Sequence, residues 1–176
     1  MRFLVLVLVL IAGPTWAQPN SQAPQADVWA ALRALEGTWR GESNGAPGQG
    51  TSTRTYKFIQ GGKFLQGETT TVYPPQEKNP KGETHTDIAL FSHNRAAKAF
   101  ALRQFHVEGF VNTYAQQPFE GALRFVTTDI ENIPAGFIGR ETYRFNGADE
   151  VTETFEIAEP GKEFSVYSET RLKRVK

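Results

Sequence analysis

The sequence predicts an all-β chain: about ten antiparallel strands in up-and-down order behind one short N-terminal helix, closed into a sandwich or barrel. Three observations predict it. Short runs rich in aromatic and β-branched residues recur at regular spacing, each bounded by Gly, Pro or Asn. Only one stretch, near the N-terminus, follows helical spacing. No alternation of strand and helix patterns occurs, which disfavours a nucleotide-binding α/β fold.

The N-terminus reads as a secretory signal over residues 1–17. Arg2 supplies the basic start, Phe3 to Ala12 the short apolar run, and Ala17 the small residue at the cleavage point. That run is too short for an ordinary spanning helix, which needs about 20 residues; the alternative is an uncleaved anchor. The expected location is therefore secreted or periplasmic, with no membrane span after cleavage. Residues 18–25, QPNSQAPQ, read as a flexible linker, and residues 26–176 as the β domain.

Ala26 to Leu35 places Val28, Trp29, Leu32 and Leu35 on one helical face, with Asp27 positioned as a cap. Gly37 to Glu42 opens the first strand, and a Gly- and Asn-rich loop runs from Ser43 to Gly50. Thr51 to Gln60 alternates, and Gly61-Gly62 is a two-residue hairpin turn. Lys63 to Tyr73 holds three consecutive threonines, which favour β structure. Pro74 to Gly82 is a charged loop, Thr84 to Ser92 a strand, and His93-Asn94-Arg95 a turn. Phe100 to His106 and Phe110 to Ala115 form a hairpin around Glu108-Gly109, with Gly109 supplying positive φ. Leu123 to Ile130 follows. Glu131 to Gly139 is a loop carrying Ile133, Phe137 and Ile138. Arg140 to Phe145, Val151 to Ile157 and Phe164 to Leu172 are the last strands, separated by turns at Asn146-Gly147 and Glu159 to Lys162.

Composition narrows the function. The formal net charge is zero, so no basic field argues for nucleic acid. The chain has no cysteine, which excludes disulfides, thiolate metal sites and a cysteine nucleophile. Thirteen Phe against one Met favour stiff, bulky packing. There is no Gly-x-Ser-x-Gly elbow and no phosphate-binding glycine loop. The histidines, His85, His93 and His106, make no local ligand pair, so the sequence places no metal site; one would have to be assembled from separate strands.

Alternation along each strand identifies polar residues on otherwise apolar faces. Arg54 lies with Tyr56 and Phe58. Gln104 and His106 follow Phe100 and Leu102, and Asn112 lies with Phe110 and Tyr114. Glu141 lies with Tyr143 and Phe145, and Glu153 with Val151, Phe155 and Ile157. Ser168 and Thr170 lie with Phe164, Val166 and Leu172. Buried polar groups need partners, so these faces imply an internal network or a wet ligand cavity, or else strand ends at a solvated barrel mouth. The candidate ligand-binding residues are Arg54, Tyr56, Gln104, His106, Asn112, Tyr114, Glu141, Tyr143, Glu153 and Thr170. Arg54 with Glu141 or Glu153 is the charge pairing to expect. A register slip of one residue would turn Arg103 and Phe105 inward instead of Gln104 and His106. Trp39 is expected to plug one end with Trp29 and Leu32.

The short helix, LEGTWRGE (Leu35 to Glu42) and the strands that follow resemble the calycin-type barrels. More closely they resemble the nitrobindin-like and fatty-acid-binding-protein-like barrels of bacteria, which include secreted proteins of uncharacterised function. Gly37-x-Trp39 is similar to the strand-one signature of those barrels and of lipocalins. Gly61-Gly62-Lys63-Phe64-Leu65 is similar to their turn and third-strand start, and RQFHVEGFVNTY (Arg103 to Tyr114) to the uncharacterised bacterial branch. The resemblance spans Leu35 to the C-terminus and implies an up-and-down barrel around a small-molecule, lipid-like ligand. Nitrobindin-like domains hold haem through a histidine on the last strand. The run most similar to it, YSETRLKR (Tyr167 to Arg174), has Tyr167 at that position, and tyrosine can ligate ferric haem. The readings carried forward are a binding barrel without a cofactor, a haem protein using Tyr167, and a cavity lyase or isomerase using His106.

Overall fold

In a computed structural model, residues 27–176 are described; the signal and linker expected over residues 1–25 lie outside them. The chain forms α1 (Ala30–Arg33), β1 (Gly37–Gly45), β2 (Gly48–Ile59), β3 (Phe64–Tyr73), β4 (Glu83–Asn94) and β5 (Ala99–His106). It continues through β6 (Val111–Gln117), β7 (Leu123–Glu131), β8 (Ile138–Phe145), β9 (Glu150–Ala158) and β10 (Ser165–Arg174). Each strand pairs antiparallel with its neighbour in sequence, and β1 pairs with β10, closing a ten-stranded barrel. Closure removes both sheet edges. It also leaves a lumen wider than the roughly eight-strand size that side chains alone can fill.

The helix is shorter than its periodicity suggests. Asp27 Oδ1 accepts from the Trp29 N–H at 3.0 Å, which holds residues 27–29 in a turn, and α1 begins only at Ala30. Val28 therefore lies in that turn and is 48% exposed, whereas Trp29, Leu32 and Leu35 are buried as expected. They close one end of the barrel over Trp39, whose indole N–H donates to the Leu35 carbonyl at 2.7 Å. Trp29 packs on Phe58 and Phe100, with ring centroids 5.4 and 5.2 Å apart. Each such buried aromatic or leucine contributes on the order of 1.5–3 kcal/mol of transfer free energy.

Three connections differ from their local signals. The loop expected from Ser43 to Gly50 is mostly strand, because Ser43, Asn44 and Gly45 pair with both β2 and β10. A ladder on two sides overrides the weak strand propensity of Gly and Asn. The β2–β3 connection takes four residues, with Gln60, Gly61 and Gly62 all at positive φ. The turn expected at His93 falls later: β4 runs through Asn94, whose Oδ1 then accepts from the Ala96 and Ala97 N–H groups.

A fourth difference affects the lumen. The β10–β9 register shifts between Val166 and Ser168. This irregularity reverses the inside–outside phase at the start of β10. Val166, expected inward, is exposed, and both Tyr167 and Ser168 face the cavity. From Thr170 onward the expected phase holds, with Thr170 and Leu172 buried. The hairpin register is the one expected from alternation: Phe100, Leu102 and Gln104 are buried, and Phe105 is exposed.

Candidate functional site: a polar cavity in the open half of the barrel

The plugged end is packed solid by Trp39, Leu65, Phe91, Leu102, Phe125 and Leu172. The opposite half encloses a cavity of about 600 Å³, a volume suited to one small organic molecule. All ten residues singled out by alternation line it. Strand period explains this: residues two apart share a face, so a single correct phase per strand brings every inward polar group to the lumen.

Arg54 on β2 pairs with Glu153 on β9, and the two side chains are 9% and 8% exposed. Glu153 Oε2 forms an ion pair with Arg54 Nη1. Arg54 Nε also donates to Ser52 Oγ at 3.3 Å, and Ser52 accepts from Thr71 at 3.0 Å. Of the two carboxylates weighed as partners for Arg54, Glu153 is therefore the one in contact. Glu141 takes tyrosine hydroxyls instead, from Tyr143 at 2.6 Å and Tyr114 at 3.5 Å. Burial pushes its pKa up, and hydrogen bonds from Tyr143 and Gln104 oppose that shift. Burial also raises the Tyr114 and Tyr143 hydroxyls well above their ordinary value, with the Glu141 charge adding to it.

Asn112 Nδ2 donates to the Tyr114 hydroxyl at 2.9 Å and approaches His106 Nε2 at 3.3 Å. Two buried acceptors, Gln104 Oε1 and Asn112 Oδ1, have no protein partner. Thr170 donates to Ser43 Oγ at 3.1 Å, and Ser43 lies 3.0 Å from the Tyr73 hydroxyl.

His106 stacks on Phe110, with ring centroids 4.1 Å apart. Burial lowers its pKa from 6.5 to about 4, against the opposing pull of Asp87. As a general base it is thus far weaker than the value near 7 that catalysis at neutral pH favours. Glu108, expected only to serve the turn beside Gly109 (φ 89°), does more. Its Oε1 lies 2.8 Å from His85 Nδ1; burial pushes its pKa up, but that bond, its own backbone N–H and the His85 and His106 rings together bring it down.

Alternation did not single out His85, Asp87 or Glu108. A signal was present in His85-x-Asp87, which puts both side chains on one face of a strand. Their proximity to His106 depends on β4–β5 pairing, in which Asp87 lies directly opposite His106.

The apolar part of the lining includes Phe110, Ile133, Pro134, Phe137, Phe155 and Ile157. The loop between β7 and β8 supplies three of these, which accounts for its unusual hydrophobicity. Tyr167 stands there edge-on to Phe155, with centroids 5.8 Å apart, and is 40% exposed. Its phenol pKa is raised, first by burial and then by the charge of Glu83. The lining as a whole is acidic: Glu83, Asp87, Glu108, Glu141 and Glu153 stand against Arg54 as the only Lys or Arg.

No family model matches the chain, and its sequence matches no curated protein. Seventeen solved chains do match. One is the crystal structure of Rv2717c from M. tuberculosis, with a TM-score of 0.63 and 17% identity over 86% of this chain and 99% of that one. At that identity the likeness is one of fold, and it supports the barrel. The closer affinity to nitrobindin-like and fatty-acid-binding-protein-like barrels does not follow from it. Among the described residues no helix is long and apolar enough to cross a membrane.

Proposed function

We propose that this chain is a secreted or periplasmic binding protein. It holds one small, partly apolar molecule whose polar end is a hydrogen-bond donor or a cation. One observation carries the reading: a cavity of about 600 Å³ combines apolar side chains with a polar lining that holds five carboxylates against Arg54. The acidic lining disfavours the carboxylate head of a free fatty acid and favours an amine, amide or hydroxyl. Localisation rests on the signal-like residues 1–17 alone.

Haem is the weaker reading. Ferric iron takes tyrosine as phenolate, and burial and the Glu83 and Glu108 charges raise the Tyr167 phenol pKa, which works against that form. The affinity to nitrobindin-like barrels rests on sequence resemblance. A lyase or isomerase reading through His106 lacks a base of suitable strength.

Native mass spectrometry of gently purified protein tests the proposal. A set of medium-chain alkyl amines and the matching carboxylates is added in parallel. The expected result is one amine retained per chain, with the carboxylates excluded and the amine weakened in Gln104→Leu. Retention of no small molecule, co-purified or added, overturns the binding role; preference for the carboxylates overturns the assignment of the polar end.

A further inference from the structure

We propose that His85, Asp87 and His106 form a binding site for one divalent transition-metal ion of the zinc class, open on one side to the cavity. Their ligand atoms, one from each side chain, lie within 4.8 Å of one another. His85 and Asp87 are alternate residues of β4, and Asp87 is the cross-strand neighbour of His106 on β5. Two rigid, paired strands thus set the three donors.

One donor separation matches that of a common ion, and the others, 3.9 Å and within 4.8 Å, need the side chains to draw in slightly. Donors held at about 2.0–2.1 Å in tetrahedral geometry stand roughly 3.3–3.4 Å apart. His85 Nε2 is 3.4 Å from His106 Nδ1 and 3.9 Å from Asp87 Oδ2. Two imidazoles with one carboxylate suit zinc, ferrous iron or cobalt better than calcium or magnesium, which prefer oxygen alone. Three protein donors leave a coordination position for an exogenous molecule.

The outer contacts are those of a ligating pair. Metal-binding histidines are usually oriented by a partner on the other ring nitrogen. For His85 that partner is Glu108, at 2.8 Å from Nδ1, which leaves Nε2 free to coordinate. For His106 it is Asn112, at 3.3 Å from Nε2. A half-turn of the Asn112 amide exchanges its nitrogen and oxygen, which are near-isosteric. The oxygen then accepts from the His106 Nε2–H that coordination through Nδ1 requires, which gives the partnerless Asn112 Oδ1 a donor. Phe110, stacked on the His106 ring, holds its plane. The site does not depend on an organic ligand, so it stands or falls separately from the function proposed above.

The test is metal titration of untagged, chelator-dialysed protein, with zinc chloride followed by calorimetry and cobalt chloride followed by visible absorption. The expected result is one ion per chain and cobalt bands of a four- or five-coordinate site. Glu108→Gln is expected to weaken binding about 10–100-fold, as loss of an orienting partner does. His85→Gln and His106→Gln should weaken it further, and His93→Gln, at the plugged end, should leave it unchanged. Far-UV circular dichroism and thermal melting of each variant establish that it is folded. If His106→Gln does not fold, the partly exposed His85→Gln decides. Absence of stoichiometric binding at micromolar zinc overturns the proposal. So does binding that survives His85→Gln, or that is lost equally in His93→Gln.

Discussion

Removing the carboxylate of Glu153 is the sharpest probe of the barrel interior. Glu153→Leu leaves the Arg54 guanidinium in a wall where both side chains are less than a tenth exposed. Breaking a buried pair from one side costs about 3–5 kcal/mol, because the remaining charge is desolvated without compensation. Here the lower end applies, since the Asp87 charge and a hydrogen bond with Tyr56 still act on Arg54. A loss of about 3 kcal/mol corresponds to a melting temperature lower by roughly 6–12 °C for a domain of this size. The double variant Arg54→Met with Glu153→Leu removes both charges, and double replacement of this kind is often neutral or stabilising. Urea unfolding followed by circular dichroism at pH 7 measures all four proteins of the cycle. The expected pattern is a large loss in the single variant and recovery to within about 1 kcal/mol of the parent in the double. A single-variant loss below about 1 kcal/mol, the range of exposed pairs, would refute the reasoning. It would mean that water entering through the mouth solvates Arg54, as at a barrel rim.

Two further outcomes follow from local geometry. Gly109 sits at φ 89°, with nothing within 4 Å of an added Cβ, so Gly109→Ala tests backbone strain without a clash. It should lower unfolding free energy by about 1–2 kcal/mol in urea, and a neutral result would show that the turn relaxes. Arg140 donates to both carboxylate oxygens of Glu156, at 2.7 and 2.5 Å, and the pairing lowers the Glu156 pKa below 4.5. A depressed folded-state pKa gives stability that is full above the unfolded value and lost as pH falls through the folded one. Glu156→Gln should therefore cost about 0.5–1 kcal/mol at pH 7, and the difference should vanish in acid as Glu156 takes up its proton. A gap that does not begin to shrink as pH falls below 4.5 in urea melts would remove the ion pair as its cause.

The inward phase of the strands was legible residue by residue. Arg54 and Tyr56, Gln104 with Leu102, and Glu141 with Tyr143 each reveal their face by alternation, because strand period is a local property of the backbone. Short turn-bounded runs likewise announce a meander, and Trp29, Leu32 and Trp39 announce a plugged end. The sequence alone thus determined an all-β chain with polar groups on its inner wall.

Only the tertiary structure decided which of those groups meet. Arg54 could have faced Glu141 or Glu153, and barrel closure through β1 and β10 brought Glu153 to it. The β4–β5 register also brought His106 on β5 to the His85-x-Asp87 pair on β4. The register shift before Ser168 turned Val166 out and Tyr167 in, against the strand's own alternation. The physical reason is common to all three. Local alternation suggests which face a side chain takes, but the phase a strand adopts and the partner it meets on another strand depend on register and closure, which are properties of the whole sheet.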